Sequence, residues 1–350
     1  MADPDTQPLQ SDESVPLPWQ KASFRQQVER LSAGQLPHAL MLSGPAGVGK
    51  TAFAAALAAR ILCGAPQSLE EGGQACGQCK QCLLIRGEGH PDARWVAPTD
   101  KSRVIRIHQI RALSGLAMES PQVARRKVMI VATADRLNAS SANALLKTLE
   151  EPPADTFLIL LHRSGQSVLP TIRSRCQNLR LEAPEPDMAL QWLAEHAPDT
   201  DQETHQLALL WAAQAPMEAK RLLDEGLLEK RRECLSALQR YLKSEILPGE
   251  AVRPFLSMPI EQALDLLLEW ARDLARAGAS PEHVQDSEAA PMLGYLAGRH
   301  HPVYLHRLYE ATLQARRGLE YNVNPEMELT VLLDQWQALM RSGRGLAKRA

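Results

Sequence analysis

Eight consecutive residues, Gly44-Pro45-Ala46-Gly47-Val48-Gly49-Lys50-Thr51, complete the pattern G-x-x-x-x-G-K-[ST]. Glycines let successive backbone N–H groups turn inward around phosphate oxygens. Lys50 supplies an ammonium for the β- and γ-phosphates, and Thr51 a hydroxyl for Mg²⁺. An apolar stretch, Ala39-Leu40-Met41-Leu42, leads in, and an alanine-rich helical pattern leads out. The positive end of that helix then faces the same anion. ATP or ADP with Mg²⁺ is the expected ligand. A glycine loop arising by chance is the alternative, and it leaves both matching flanks unexplained.

Cys76, Cys79 and Cys82 follow a C-x-x-C-x-x-C spacing, with Cys63 upstream. Gly77 permits the tight turn of a metal knuckle. Four thiolates suit tetrahedral Zn²⁺ with no open position for water, a structural rather than catalytic geometry. A redox C-x-x-C pair and an iron–sulfur cluster remain open as alternatives. His90 is near, but four cysteines already complete a shell. Cys176 and Cys234 stand alone and read as buried thiols.

The 350 residues allow two or three domains. A formal net charge of -2 offers no global attraction to nucleic acid, so any DNA contact must be local. No apolar run is long enough to span a bilayer, and Met1 to Ser14 read as a frayed polar terminus, not a signal peptide. Clustered cysteines then fit a reducing cytoplasm. Short apolar runs at Ala39–Ser43, Arg94–Ala97, Val128–Ala132, Phe157–His162 and Leu179–Leu181 suit buried strands of a parallel sheet. Helical patterns at Ala52–Leu62, Ile107–Met118 and Ala139–Leu149 alternate with them, which argues for an α/β layered domain. Beyond Ala183-Pro184-Glu185-Pro186 only helical patterns follow: Met188–His196, Thr204–Ala213, Met217–Asp224, Leu227–Ser244, Ile260–Ala277, Val303–Leu319 and Glu326–Met340. Leu247-Pro248-Gly249 and Ala279-Ser280-Pro281 read as loops between helices.

The phosphate loop, the four cysteines, Asn143-Ala144-Leu145-Leu146-Lys147-Thr148-Leu149-Glu150-Glu151-Pro152-Pro153 and Ser174-Arg175-Cys176 occur in one order. Together they resemble the clamp-loader branch of the AAA+ superfamily, whose bacterial members serve DNA polymerase III. The resemblance is specific over residues 19–183. It implies an α/β P-loop AAA+ domain with a five-stranded parallel sheet and an inserted zinc module, about 63–90. A helical lid, 184–228, and an all-helical collar domain, 229–342, for oligomerisation would follow. Residues 1–18 would be a disordered N-terminus and 343–350 a frayed basic tail. The implied partners are the clamp-loader delta and gamma/tau subunits, the sliding clamp indirectly, and primer-template DNA in the assembled complex. That complex is part of a DNA-directed DNA polymerase holoenzyme, and its ring of five subunits loads the sliding clamp in replication.

Active members of the superfamily end their third strand with adjacent Asp and Glu, which hold Mg²⁺ and orient the attacking water. Here Lys127-Val128-Met129-Ile130-Val131 runs into Ala132-Thr133. Asp135 comes later and reads as a solvated or capping residue, with metal binding as the alternative. The polar sensor position falls at His162-Arg163-Ser164, and the lid's sensing arginine is replaced by Met217, with Lys220 or Arg221 as substitutes if the register slips. Each such contribution is worth roughly 3 kcal/mol of barrier, so nucleotide turnover should be slight. In the family the arginine of Ser174-Arg175-Cys176 reaches a neighbour's nucleotide, which makes Arg175 the expected finger acting in trans and Arg173 the lesser candidate. The chain would then be a stator of the ring. The helix Ala139–Leu149 would face DNA with Lys147 at a phosphate, or else carry a solvent-facing lysine. Lys101, Arg103, Arg106, Arg125, Arg126 and Lys127 add local positive charge, ordinarily a solvated face. Two rival functions are an active AAA+ motor, such as a gamma/tau-type ATPase or helicase, and a zinc-dependent nucleic-acid-binding regulator.

Overall fold

A computed structural model describes residues 15–65, 72–87, 89–99, 104–278, 284, 286, 288–318 and 324–346. Met1 to Ser14, Lys101, Arg103, the Ala279-Ser280-Pro281 break and the basic Lys348 and Arg349 lie outside the described residues. Two compact units divide the chain, Met1–Arg221 and Leu222–Ala350. The division falls earlier than residue 229, where the collar was expected to begin.

Five strands form the first unit's sheet: β1 (Ala39–Gly44), β2 (Ala93–Val96), β3 (Lys127–Val131), β4 (Thr156–Arg163) and β5 (Gln177–Arg180). Their order is β2-β3-β4-β1-β5, and every pairing is parallel. Every residue of β1 and β3 is buried. Strands covered on both faces read as continuous apolar runs because each face packs on helices. The side-chain period of two divides β1 between two cores. Leu40 and Leu42 join Phe24, Val28, Phe53 and Leu57 on one face, while Ala39 and Met41 join Ile110, Leu113, Leu145 and Leu149 on the other.

The helices that cover these faces are α1 (Lys21–Ser32), α2 (Lys50–Leu62), α3 (Lys80–Arg86), α4 (Ile107–Met118), α5 (Ala139–Glu150) and α6 (Pro170–Arg173). Three more, α7 (Pro186–His196), α8 (Gln202–Trp211) and α9 (Pro216–Asp224), follow the sheet. Lys127 does not belong to a solvated basic face. It is 2 % exposed, and its ammonium donates to the carbonyls of Leu116 and Glu119, at the C-terminus of α4. A cation there meets the helix's orphan carbonyls and the negative end of its dipole.

The second unit is all helical among the described residues: α10 (Leu227–Leu242), α11 (Pro248–Leu256), α12 (Ile260–Ala277), α13 (Ala290–Ala297), α14 (Pro302–Gly318) and α15 (Pro325–Leu346). Its core gathers Leu238, Tyr241, Phe255, Leu267, Trp270 and Trp336. Leu247-Pro248-Gly249, expected as a loop, is the start of α11. Pro248 occupies the first turn, where a missing N–H costs nothing, and the Leu247 N–H donates to Glu250 Oε2 at 3.0 Å. The tail expected to fray from 343 instead continues α15 as far as Leu346. Among the described residues no helix is long and apolar enough to cross a membrane.

Candidate functional site

The loop Gly44 to Thr51 joins β1 to α2, as its pattern requires. Gly47 and Gly49 have φ of +70° and +87°, a conformation that only glycine adopts cheaply. Lys50 and Thr51 open α2 at 2 % and 4 % exposure. The Lys50 ammonium donates to the carbonyls of Pro45 at 2.6 Å and Gly44 at 3.3 Å. The eight expected phosphate-binding residues are therefore assembled, but the chain itself covers them. A Cβ on Gly47 would lie 2.3 Å from the backbone nitrogen and Cβ of Glu218, so the first turn of α9 rests directly on the loop. The Met217 N–H donates to the Gly47 carbonyl at 3.2 Å. Met217 thus stands at the loop, where the missing sensor arginine was read. Arg221, the alternative, is engaged with Glu218, Nη2 to Oε1 at 2.5 Å.

Residues just before α1 close the other side. Gln20 Nε2 donates to the Val48 and Gly49 carbonyls at 2.9 and 2.8 Å, and Trp19 Nε1 to Val48 at 3.0 Å. Leu17 approaches Gly49, and Pro16 is buried. Within the stretch 1–18 expected to be disordered, residues 15–18 are thus described, and part of them packs on the phosphate loop. The signal for this was the apolar Val15-Pro16-Leu17-Pro18-Trp19 run, which has the composition of an anchored segment rather than of a solvated end.

At the carboxyl ends of the neighbouring strands, β3 gives way to buried Ala132 and to Thr133. Asp135 turns toward β4, where its Oδ1 accepts the Arg163 N–H at 3.4 Å, with Arg136 Nε 3.8 Å from Oδ2. The backbone of Ser164 donates to the Gly44 carbonyl at 2.9 Å, tying the end of β4 to the phosphate loop. His162 pairs through Nε2 with the Gln166 carbonyl at 3.0 Å.

Cys63, Cys76, Cys79 and Cys82 converge, with all four sulfurs within 4.8 Å of one another. Three Sγ–Sγ separations are 3.9, 3.9 and 3.5 Å. Zn–S bonds of about 2.3 Å give a tetrahedron edge of about 3.8 Å, so the donor set fits the ion. Cys63 caps α2, Cys79 caps α3, and Gly77 turns between the knuckle cysteines at φ +72°. Burial opposes ionisation of Cys79, but the N–H groups of Cys82 and Gly64 and the thiols of Cys82 and Cys76 outweigh it and lower its pKa to about 6. The N–H groups of Gln78 and Cys79 lower that of Cys76. Burial, with the bond to Cys79, raises that of Cys82. Zinc here would tie the end of α2 to the start of α3. His90 stays outside the cluster, its Nδ1 accepting the Asp92 N–H at 3.1 Å. Burial pushes Cys176 and Cys234 each up to about 12, so both remain thiols.

Asp92 was not singled out by sequence, having no motif around it. It is 0 % exposed, and its carboxylate accepts the N–H groups of Gln122, Val123 and Ala124 at 2.6, 2.8 and 2.7 Å. Burial works against its charge, yet these three donors hold the pKa below the usual carboxylate range.

Arg175 lies between α6 and β5. Its Nε donates to Glu150 Oε1 at 2.7 Å, and its Nη1 to the Thr171 carbonyl at 3.0 Å. Glu150 ends α5, whose buried face is Ala142, Leu145 and Leu149 and whose exposed face carries Asn143 and Lys147. The spacing of the Asn143–Pro153 motif is therefore that of one amphipathic helix and its exit.

The family profile described as DNA polymerase III, delta subunit, matches residues 19–185, and that of the delta subunit, C terminal, matches residues 225–338. DNA polymerase III subunit delta′ of Pseudomonas aeruginosa is 32% identical to this chain over 93% of it and 98% of its own length. The protein of the same name from Escherichia coli is 29% identical over 93% and 96%. A solved DNA polymerase III gamma subunit-related protein of Thermotoga maritima aligns with 92% of this chain and 99% of its own at 18% identity and a TM-score of 0.41.

Proposed function

The chain belongs to the family of DNA polymerase III delta′ subunits of the clamp loader, and from that premise we propose that it acts as a stator: it lends Arg175 to the nucleotide of a neighbouring subunit and does not turn over nucleotide itself. The observation that carries this reading is where Arg175 stands. In the parallel pairing of β5 with β1, Gln177 is level with Leu40, while the phosphate loop starts at Gly44. At about 3.3 Å per residue, Arg175 is on the order of 15–20 Å from its own phosphate loop, toward the opposite end of the sheet. It therefore serves a nucleotide outside this chain or none. A guanidinium suits the task, being permanently charged and planar.

The chain's own pocket supports the other half. No carboxylate ends β3, Asp135 is held by the backbone of β4, and α9 rests on Gly47. Nucleotide would have to displace α9 to reach Lys50, and would then meet Ala132 and Thr133 at the end of β3 instead of carboxylates that hold Mg²⁺ and orient water. These features weigh against the rival motor. Delta and gamma/tau subunits are the proposed partners, the second unit providing the ring contact and exposed Lys147 a contact to DNA phosphate.

The test is Arg175→Ala in a clamp loader reconstituted from its cognate subunits. The variant should fold, join the complex, and lower DNA-stimulated ATP hydrolysis several-fold; an arginine finger is worth about 10³ or more at the one site it serves. Hydrolysis equal to that of the unmodified complex removes the finger assignment.

A further inference from the structure

We propose that Glu150 is a latch on Arg175, holding the guanidinium until a neighbour's phosphates displace it. The inference rests on the reading of Arg175 as a finger in trans. Both Nε and Nη2 of Arg175 reach one oxygen, Glu150 Oε1, at 2.7 and 2.5 Å. Nη1 donates to the Thr171 carbonyl at 3.0 Å and to Ser174 Oγ at 3.3 Å. A guanidinium has five N–H groups, and these contacts engage most of them. The Nε–Nη2 edge is one that takes a phosphate side-on with two hydrogen bonds. Glu150 occupies that edge, so carboxylate and phosphate compete for the same donors.

The pair is built for exchange. Its side chains are 35% and 48% exposed, for arginine and glutamate respectively. A pair that accessible opens without the desolvation penalty of a buried one. The Thr171 and Ser174 contacts stay on the other nitrogen and keep the arginine aimed when Glu150 lets go. Glu150 is thus a positioning residue, acting only through Arg175. It keeps the finger ordered and its charge balanced when no triphosphate faces it.

Glu150→Gln keeps the size of the side chain and removes its charge. In the full chain alone, reaction of Arg175 with phenylglyoxal, followed by mass spectrometry, should speed up about two- to five-fold, the range for one exposed ion pair. Exposed Arg173, two residues away, is the internal reference and should not change. In the reconstituted clamp loader the same variant should raise ATP hydrolysis without DNA by a similar factor. The double variant with Arg175→Ala should match Arg175→Ala alone. Equal phenylglyoxal rates at Arg175 in variant and parent overturn the latch. So does faster modification with no rise in DNA-independent hydrolysis while Arg175→Ala still lowers the stimulated rate; the finger then stands without a latch. If Arg175→Ala leaves hydrolysis untouched, the finger itself fails and the latch has nothing to release.

Discussion

Gly47→Ala tests whether α9 sits on the phosphate loop. The new methyl carbon would come 2.3 Å from Glu218 N and Cβ and 2.7 Å from Cα. Ordinary contact begins near 3.4 Å, so the backbone of α9 must retreat by about 1 Å; no flexible side chain can give way instead. Overpacking of this kind costs about 1–3 kcal/mol. The left-handed φ of +70° adds about 1 kcal/mol for any residue with a Cβ. Gly34 supplies the control, because its φ is +67° and nothing lies within 4 Å of its Cβ position. Gly34→Ala bears the conformational term alone, and the gain from a stiffer unfolded chain is common to both variants. The difference between them is the contact with α9, about 1–3 kcal/mol. For a unit the size of Met1–Arg221 this is a further loss of about 2–12 °C in Tm. Thermal unfolding of both variants, followed by far-UV circular dichroism, reads it. If Gly47→Ala melts with Gly34→Ala, α9 does not rest on Gly47 and the covered pocket is wrong.

Zinc should co-purify with the chain and leave when its thiols are blocked; α3 has only seven residues, too few to persist alone, so hydrogen exchange should accelerate over residues 72–87 while β1 and β3 stay protected. Cys82→Ser should abolish the metal and Cys176→Ser should retain it, and a cobalt-substituted chain without tetrahedral thiolate absorption would refute the site. Asp92 has a folded-state pKa below its unfolded value of about 3.9. Its stabilisation is therefore fully present above that unfolded value and is lost as pH falls through the lower folded one. Asp92→Asn should destabilise by about 2 kcal/mol or more at pH 7, as its charged hydrogen bonds weaken. The gap to the parent in chemical denaturation should narrow below about pH 4, whereas a gap constant with pH would show that the charge is not what holds the 122–124 turn.

Much of the architecture was legible because its signals are local. The central strands β1, β3 and β4 are nearly continuous apolar runs, and all five strands could be placed within a few residues; α4 and α12 match their patterns end to end. The glycine-loop and cysteine patterns are defined by residue type and spacing over short stretches of chain, which is why the loop stands between β1 and α2 and the four sulfurs converge. Short helices were missed, α3 and α13 among them, because one or two turns carry too little periodicity. Pro248 was misread because proline breaks a helix interior but suits its first turn, and only the flanking geometry tells these apart.

What the order of residues could not disclose is who covers whom. Nothing in Gly47 or Glu218 announces their contact, since it arises from packing between segments far apart in the chain. The same holds for Asp92 with the 122–124 turn and for Glu150 with Arg175, where hydrogen-bond partners are chosen by the fold and not by spacing. Residue chemistry set what the phosphate loop, the cysteines and the arginine are able to do. Tertiary packing, which brings distant groups within reach and excludes water from some of them, decided that the loop is covered, the cysteines convergent and the arginine held.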